Sequence, residues 1–153
     1  MGRLVGLVSR VYERLERAEW LARLLARVAV GLMFFGSGLG KATRLSSFVA
    51  YFRSLGIPAP DLQAPFVAGV ELICGALLIL GLGTRPAAAL LSGVMIVALG
   101  TAAIPEHHVT ASWKGLLDFL YLPEWLLLLL LVWLLLAGAG RASLDAMLGK
   151  RQP

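Results

Sequence analysis

One carboxylate in this 153-residue chain sits where the surrounding sequence offers it no water. Glu71 lies near the middle of an apolar stretch running from Ala64 to Leu82, roughly 10 Å from its outer end at a rise of 1.5 Å per residue. An acidic side chain at the centre of a membrane helix costs roughly 2.5–3.5 kcal/mol on insertion scales. Such a residue therefore faces a bundle interior and has a partner or a function. Ala64, Ala68, Glu71 and Gly75 fall on one helical face, which places the carboxyl in a seam of small residues. Two roles suit it: a proton-exchanging or quinone-facing group, or a structural carboxyl bonded to a neighbouring helix.

The residues able to serve Glu71 gather at one end of the apolar stretches. Lys41 follows the first stretch and can reach inward, and Glu124 opens the last one near the same level. Arg44, Asp61, Glu106, His107, His108 and Asp118 share that end. Lys41, Glu124, His107 and His108 are thus candidates, with Glu71, for a proton-access or quinone mouth. His107 and His108 are adjacent, so on a helix they cannot face one metal, and the chain has only these two histidines. Haem held by two histidines, or zinc held mainly by histidines, is unsupported. The single cysteine, Cys74, gives neither a disulfide nor a CxxC pair. We expect no metal, and no cofactor bound by this chain alone beyond a quinone.

The elements that position these residues are membrane spans. Hydrophobic residues make up 59% of the chain and charged ones 15%, against about 45–50% and about 25% in soluble domains. Four apolar stretches, 21–40, 64–82, 86–104 and 124–140, match the length a hydrocarbon core of about 30 Å requires. The spacing predicts an all-α membrane protein: a four-helix transmembrane bundle (21–140), an amphipathic N-terminal segment (1–20) and a short tail (141–153). Leu4, Leu7, Val8, Val11, Leu15 and Ala18 oppose Arg10, Glu13, Arg14 and Arg17 at helical spacing, suiting a helix lying on the membrane surface. The first apolar stretch is of full length, without a small-residue cleavage site after a short core, so it reads as a span and not a cleaved signal peptide. Arg23 and Arg27 fall near its end, within snorkelling reach of headgroups.

The formal charge of +5 does not point to nucleic acid, because the basic residues sit at the ends of apolar runs. Arg3, Arg10, Arg14, Arg17, Arg23, Arg27, Arg85, Arg141, Lys150 and Arg151 fall on one side, and Lys41, Arg44, Arg53 and Lys114 on the other. The excess places both termini in the cytoplasm. Between the first two spans, Ser46 can cap a short helix with Phe48, Tyr51, Phe52 and Leu55 on one face, ended by Gly56, Pro58 and Pro60. That helix should rest on the outer mouth of the bundle. Gly81 to Pro86 reads as a tight turn making spans two and three a hairpin. Gly36 with Gly40, and Ala88 with Ser92, are candidate helix seams. Trp113, Tyr121 and Trp125 read as an aromatic belt at the start of the fourth span.

Several of these pieces together resemble the DoxX family of small four-span prokaryotic membrane proteins. They are the segment Arg27 to Lys41, Tyr51 to Pro60, Val70-Glu71 with Gly75, Gly81 to Arg85, and Gly138 to Asp145. The resemblance implies a place in the prokaryotic cytoplasmic (inner) membrane and an association with quinone-linked oxidoreductases. Lys41, Glu71, Arg85, Glu124, Ser143 and Asp145 are the polar positions that match, with Ser143 resembling a cap of a short helix. Three functions follow: an integral subunit of, or accessory to, a membrane redox complex; an adaptor or assembly protein without chemistry; and a small-solute or lipid transporter. Its partners would be the lipid bilayer and either proteins of a redox complex or further copies of itself.

The charge distribution makes a direct prediction. Reporter fusions at Ala59 and Val109 should report an external location, and fusions at Gly83 a cytoplasmic one. A cytoplasmic signal at Ala59 would overturn the orientation.

Overall fold

A computed structural model describes the backbone of residues 2–149 and the side chains from residue 18 onward. Every regular element among the described residues is helical. The chain runs through α1 (Gly2–Thr43), α2 (Leu45–Ser54), α3 (Pro60–Leu80) and α4 (Thr84–Ala98), then a π-helical turn, Leu99–Ala103. It continues through α5 (Ile104–Glu106), α6 (Trp113–Leu120), α7 (Pro123–Ala137) and α8 (Leu144–Met147). Helices α1, α3, α4 and α7 form a ring in which each packs on the next and α7 closes on α1. Val30, Phe34, Leu78, Leu91, Leu131 and Leu134 fill the centre. The outside of the ring is also apolar, with Leu25, Leu32, Ile73, Ile96 and Leu136 exposed, as a surface solvated by lipid tails must be.

Three segments are long and apolar enough to cross a membrane: Ala18–Thr43, Pro60–Leu80 and Thr84–Glu106. The fourth is a bent pair, α6 and α7, meeting at 61°. The sequence marks a span from Glu124; the structure places an eight-residue helix ahead of it. Ser112 caps that helix, accepting from Gly115 N at 3.1 Å. Pro123 explains the bend, since a residue preceding proline is driven out of the helical region, and Leu122 is extended at ψ 126°. With 15 residues, α7 spans only about 22 Å, and it has the length and hydropathy of a span only together with α6.

Other expectations change in detail. No turn separates the N-terminal segment from the first span, because α1 is helical without a break; the amphipathic face expected there rests on side chains outside the described residues. The outer helix begins at Leu45 behind Arg44, so Ser46 lies inside it and caps nothing. The close crossing of α1 and α3 uses glycines other than Gly36 and Gly40, which face open space. A Cβ at Gly38 would collide with the backbone of Leu72, and one at Gly75 with the backbone of Phe35. Gly31 completes the seam: its Cβ would lie 2.9 Å from Gly75 O. Spaced seven apart, Gly31 and Gly38 keep one stripe of α1 against α3.

The far end of the bundle is tied by polar groups. Arg27 is buried instead of snorkelling; its guanidinium donates to Ala139 O at 3.1 Å and Ala142 O at 2.8 Å. Asp145 folds back onto the α3–α4 turn, accepting from Gly83 N at 2.9 Å and Thr84 N at 3.2 Å. Its backbone N–H donates to Gly81 O at 3.0 Å. The carboxylate thus meets the free N–H groups of α4 from a distant part of the chain. Gly81 leaves room for Arg27, where any Cβ would overlap the guanidinium, and its φ of 69° suits glycine. Ser143 caps α8, accepting from Ala146 N at 3.1 Å.

The two glycine pairs predict opposite signs. Gly75→Ala should lower thermal stability by about 1–3 kcal/mol or more, because backbone overlap cannot be relieved by rotamer change. Gly36→Ala should leave the melting temperature unchanged or raise it, since alanine favours helix and meets nothing there. Equal losses in a thermal melt would contradict the assigned crossing.

Candidate functional site

The α1–α3 crossing brings Lys41 onto Glu71. Glu71, 1% exposed, lies eleven residues into α3, and its Oε1 and Oε2 stand 2.5 and 2.7 Å from Lys41 Nζ. Ser37 Oγ donates to Oε2 at 2.9 Å. Ser37 and Lys41 are one turn apart on α1, so both reach the same carboxylate. The face Ala64, Ala68, Glu71 and Gly75 is buried throughout. Lys41 Nζ also lies 5.0 Å from the centroid of the Phe48 ring on α2, within cation–π range.

This ion pair lines a cavity of about 640 Å³, well within the range of small-molecule sites. Glu124 lines it from α7, Gln63 from α3, Thr101 from the π-helical turn, and Phe48, Tyr51 and Phe52 from α2. Glu124 Oε2 is buried and has no hydrogen-bond partner among the described residues. The π-helical turn has a local cause. Pro105 has no N–H for the carbonyl four residues earlier, and Thr101 Oγ1 bonds back to Val97 O at 2.8 Å. Both loosen the helical ladder beside the cavity.

Helix α2 roofs the mouth. Phe52 and Ile57 are buried against Ala64, with Phe48, Val49, Leu55 and Val67 packed around them. Tyr51 Oη donates to Glu106 Oε1 at 2.8 Å, tying the roof to the end of α5. Desolvation, the bond to Glu106 and the charges of Glu106 and Glu124 raise the Tyr51 phenol above its ordinary range.

Of the residues singled out in the sequence, Lys41, Glu71 and Glu124 come together in one cavity. His107 and His108 do not: they lie exposed in the turn after α5, outside the cavity lining. Asp61 pairs with Arg53 at 3.3 Å on the surface, and Arg44 and Asp118 are exposed. Arg85 donates to Leu136 O at 3.3 Å, and Ser143 and Asp145 sit at the far end. Sequence reasoning passed over Ser37 and the Tyr51–Glu106 bond. Ser37 was findable, one turn before Lys41; the other depends on how α2 folds over α5.

Comparison with known proteins agrees with this architecture. The DoxX family model matches residues 22–104, which carry the second half of α1, all of α2, α3 and α4, and the Lys41–Glu71 pair. A Bacillus subtilis protein named putative oxidoreductase CatD is 33% identical over 82% of this chain and 85% of its own. Inner membrane protein YphA of Escherichia coli is 39% identical over 56% of this chain and 59% of its own. The uncharacterized membrane protein Rv3486 of Mycobacterium tuberculosis is 31% identical over 97% of this chain and 94% of its own. No solved structure matches the chain. With the family model covering more than half its length and two relatives, 33% and 31% identical, aligned over four-fifths or more of both chains, this chain is a membrane protein belonging to the DoxX family.

Proposed function

We propose that this chain is an integral membrane subunit of, or accessory to, a quinone-linked redox complex, oriented with both termini in the cytoplasm. Glu71 is its proton-exchanging carboxyl and Lys41 its counter-charge. The observation that carries this reading is the placement of Glu71, 1% exposed and ion-paired, on the wall of a cavity of about 640 Å³. A carboxylate held only for packing has no need of a cavity beside it. The name of the Bacillus relative, an oxidoreductase, supports the redox class.

The cavity residues fit a quinone head. A quinone presents carbonyl oxygens, which need donors, and Lys41 Nζ supplies one; the reduced quinol presents hydroxyls, which Glu124 Oε2 can accept. The unpartnered Glu124 Oε2 is the group such a ligand would satisfy, since a buried oxygen without a partner costs about 1–3 kcal/mol. Phe48 and Phe52 offer flat apolar surface. The quinone, when bound, would take electrons delivered by a partner protein. This chain's residues would bind and orient the head, exclude water beneath α2, and move protons at the Glu71 and Glu124 carboxyl oxygens.

The closed triad of Glu71, Lys41 and Ser37 favours a second reading, a membrane adaptor in which the pair only locks α1 to α3. A transporter reading has no comparable support.

Substitution separates the two. Glu71→Gln keeps size and hydrogen bonding but loses the titratable proton. Measured well below the melting temperature, in the complex purified from native membranes, it should cut quinone reduction by about 10²-fold or more while the complex still assembles. Glu71→Ala should also destabilise the chain by about 3–5 kcal/mol, because Lys41 is left without its partner. Full turnover in the Gln variant would sink the proton-exchange role and leave the adaptor.

A further inference from the structure

The cavity beside Glu71 does not end inside the bundle. Its lining includes Phe66 on α3 and Leu90, Gly93 and Val97 on α4. Three of these large apolar side chains are more than half exposed, Phe66 at 67%, Leu90 at 54% and Val97 at 55%. A cavity lined both by a buried carboxylate and by residues on the outer face of the ring must open sideways. These residues place an opening where α3 and α4 adjoin, on helices long and apolar enough to cross a membrane, and Met33 of α1, 55% exposed, also lines the cavity. Gly93 borders the opening, and a Cβ there would meet open space.

The water-facing route is partly covered, with the Lys41 side chain 28% exposed. Phe52 and Ile57 seal α2 onto Ala64, Phe48 lies under Lys41, and the Tyr51–Glu106 bond ties the roof to α5. One route is covered by packed aromatic rings and a hydrogen bond, and the other is an apolar gap facing lipid. At the inner end waits Glu124 Oε2, buried and unpartnered, beside the Lys41–Glu71 pair.

We propose that the gap between Phe66 on α3 and Leu90, Gly93 and Val97 on α4 is a lateral portal. Through it an uncharged, single-tailed amphiphile enters from the bilayer, its polar head at Glu124 and Lys41 and its hydrocarbon tail left lying along Gly93. The identity of the head as a quinone rests on the function proposed above; the portal does not. A tail in this groove adds apolar burial to whatever the head contributes, so affinity must depend on tail and portal together.

The test uses the full chain in lipid nanodiscs, with quenching of its tryptophan fluorescence as the readout and ligand expressed per mole of lipid. The probes are a decyl-tailed benzoquinone, the same head without a tail, and a decyl glyceryl ether dibrominated at its chain end, whose bromines quench tryptophan, as a tailed head that cannot be reduced. The variants are Gly93→Trp and, as a second block, Leu90→Trp, each compared with a parent carrying a tryptophan at exposed Ile73 to match the added fluorophore. The decyl-tailed quinone should bind at least about tenfold more tightly than the tail-less head. Both portal variants should remove that advantage while leaving the melting temperature unchanged. If the quinones fail but the decyl ether binds and Gly93→Trp blocks it, the portal stands and the quinone reading falls. Tailed binding that both tryptophan variants leave intact, or no binding of any tailed probe, overturns the portal.

Discussion

A carboxylate buried midway along a membrane helix needs a cation, and the Lys41–Glu71 pair is the constraint around which this bundle is arranged. Nζ reaches both carboxylate oxygens within 2.7 Å, and such closeness requires α1 and α3 to cross with almost no side chain between them. Gly31, Gly38 and Gly75 supply that contact. The small residues around Glu71 are therefore the condition for its neutralisation. If the helices stood a methyl group farther apart, lysine would have to stretch and Ser37 would lose its bond.

The same two helices carry a second polar tie at their other end. There Arg27 replaces Lys41 and finds backbone carbonyls of the chain following α7, while Asp145 satisfies the start of α4. Between the ties the core is aliphatic and closely packed. The two ends differ in what they leave open. At the Arg27 end the Gly81 turn is filled by the guanidinium. At the Glu71 end the helices part around a cavity, and a π-helical turn lies in its wall. A rigid closed end with a loosened opposite end suits a site that must admit a ligand without unfolding the bundle.

Much of this was legible in the sequence because the bilayer imposes simple rules. Three spans followed from length and hydropathy, and Glu71 stood out because an acidic residue there needs a reason. Its partner was legible as well, since Lys41 is the basic residue at the adjoining end of the first span. The rest depended on tertiary packing. Gly36 and Gly40 have the spacing of a helix seam, yet Gly31 and Gly38 make it, because the helical face turned toward α3 is fixed by where Lys41 must point. Arg27 reads as a snorkelling residue by its place near a span end, and only the returning chain after α7 shows its carbonyl partners. The helix at Trp113–Leu120 was hidden by its short length and by Pro123, which marks the start of α7 more plainly than a bend. His107 and His108 share an end of the bundle with Lys41, but that does not determine which side of the ring a loop lies on.

The most direct test of the central claim is a double-mutant cycle on the pair, read as thermal stability in a fixed lipid environment. Lys41→Met and Glu71→Gln should each destabilise the chain, because each leaves a polar or charged group without its buried partner. The double variant has no charge to compensate and should recover much of the loss, giving a coupling of about 2 kcal/mol or more. If the single losses simply add in the double variant, the two side chains do not depend on one another. The ion pair would then not be what holds α1, α3 and the cavity in place.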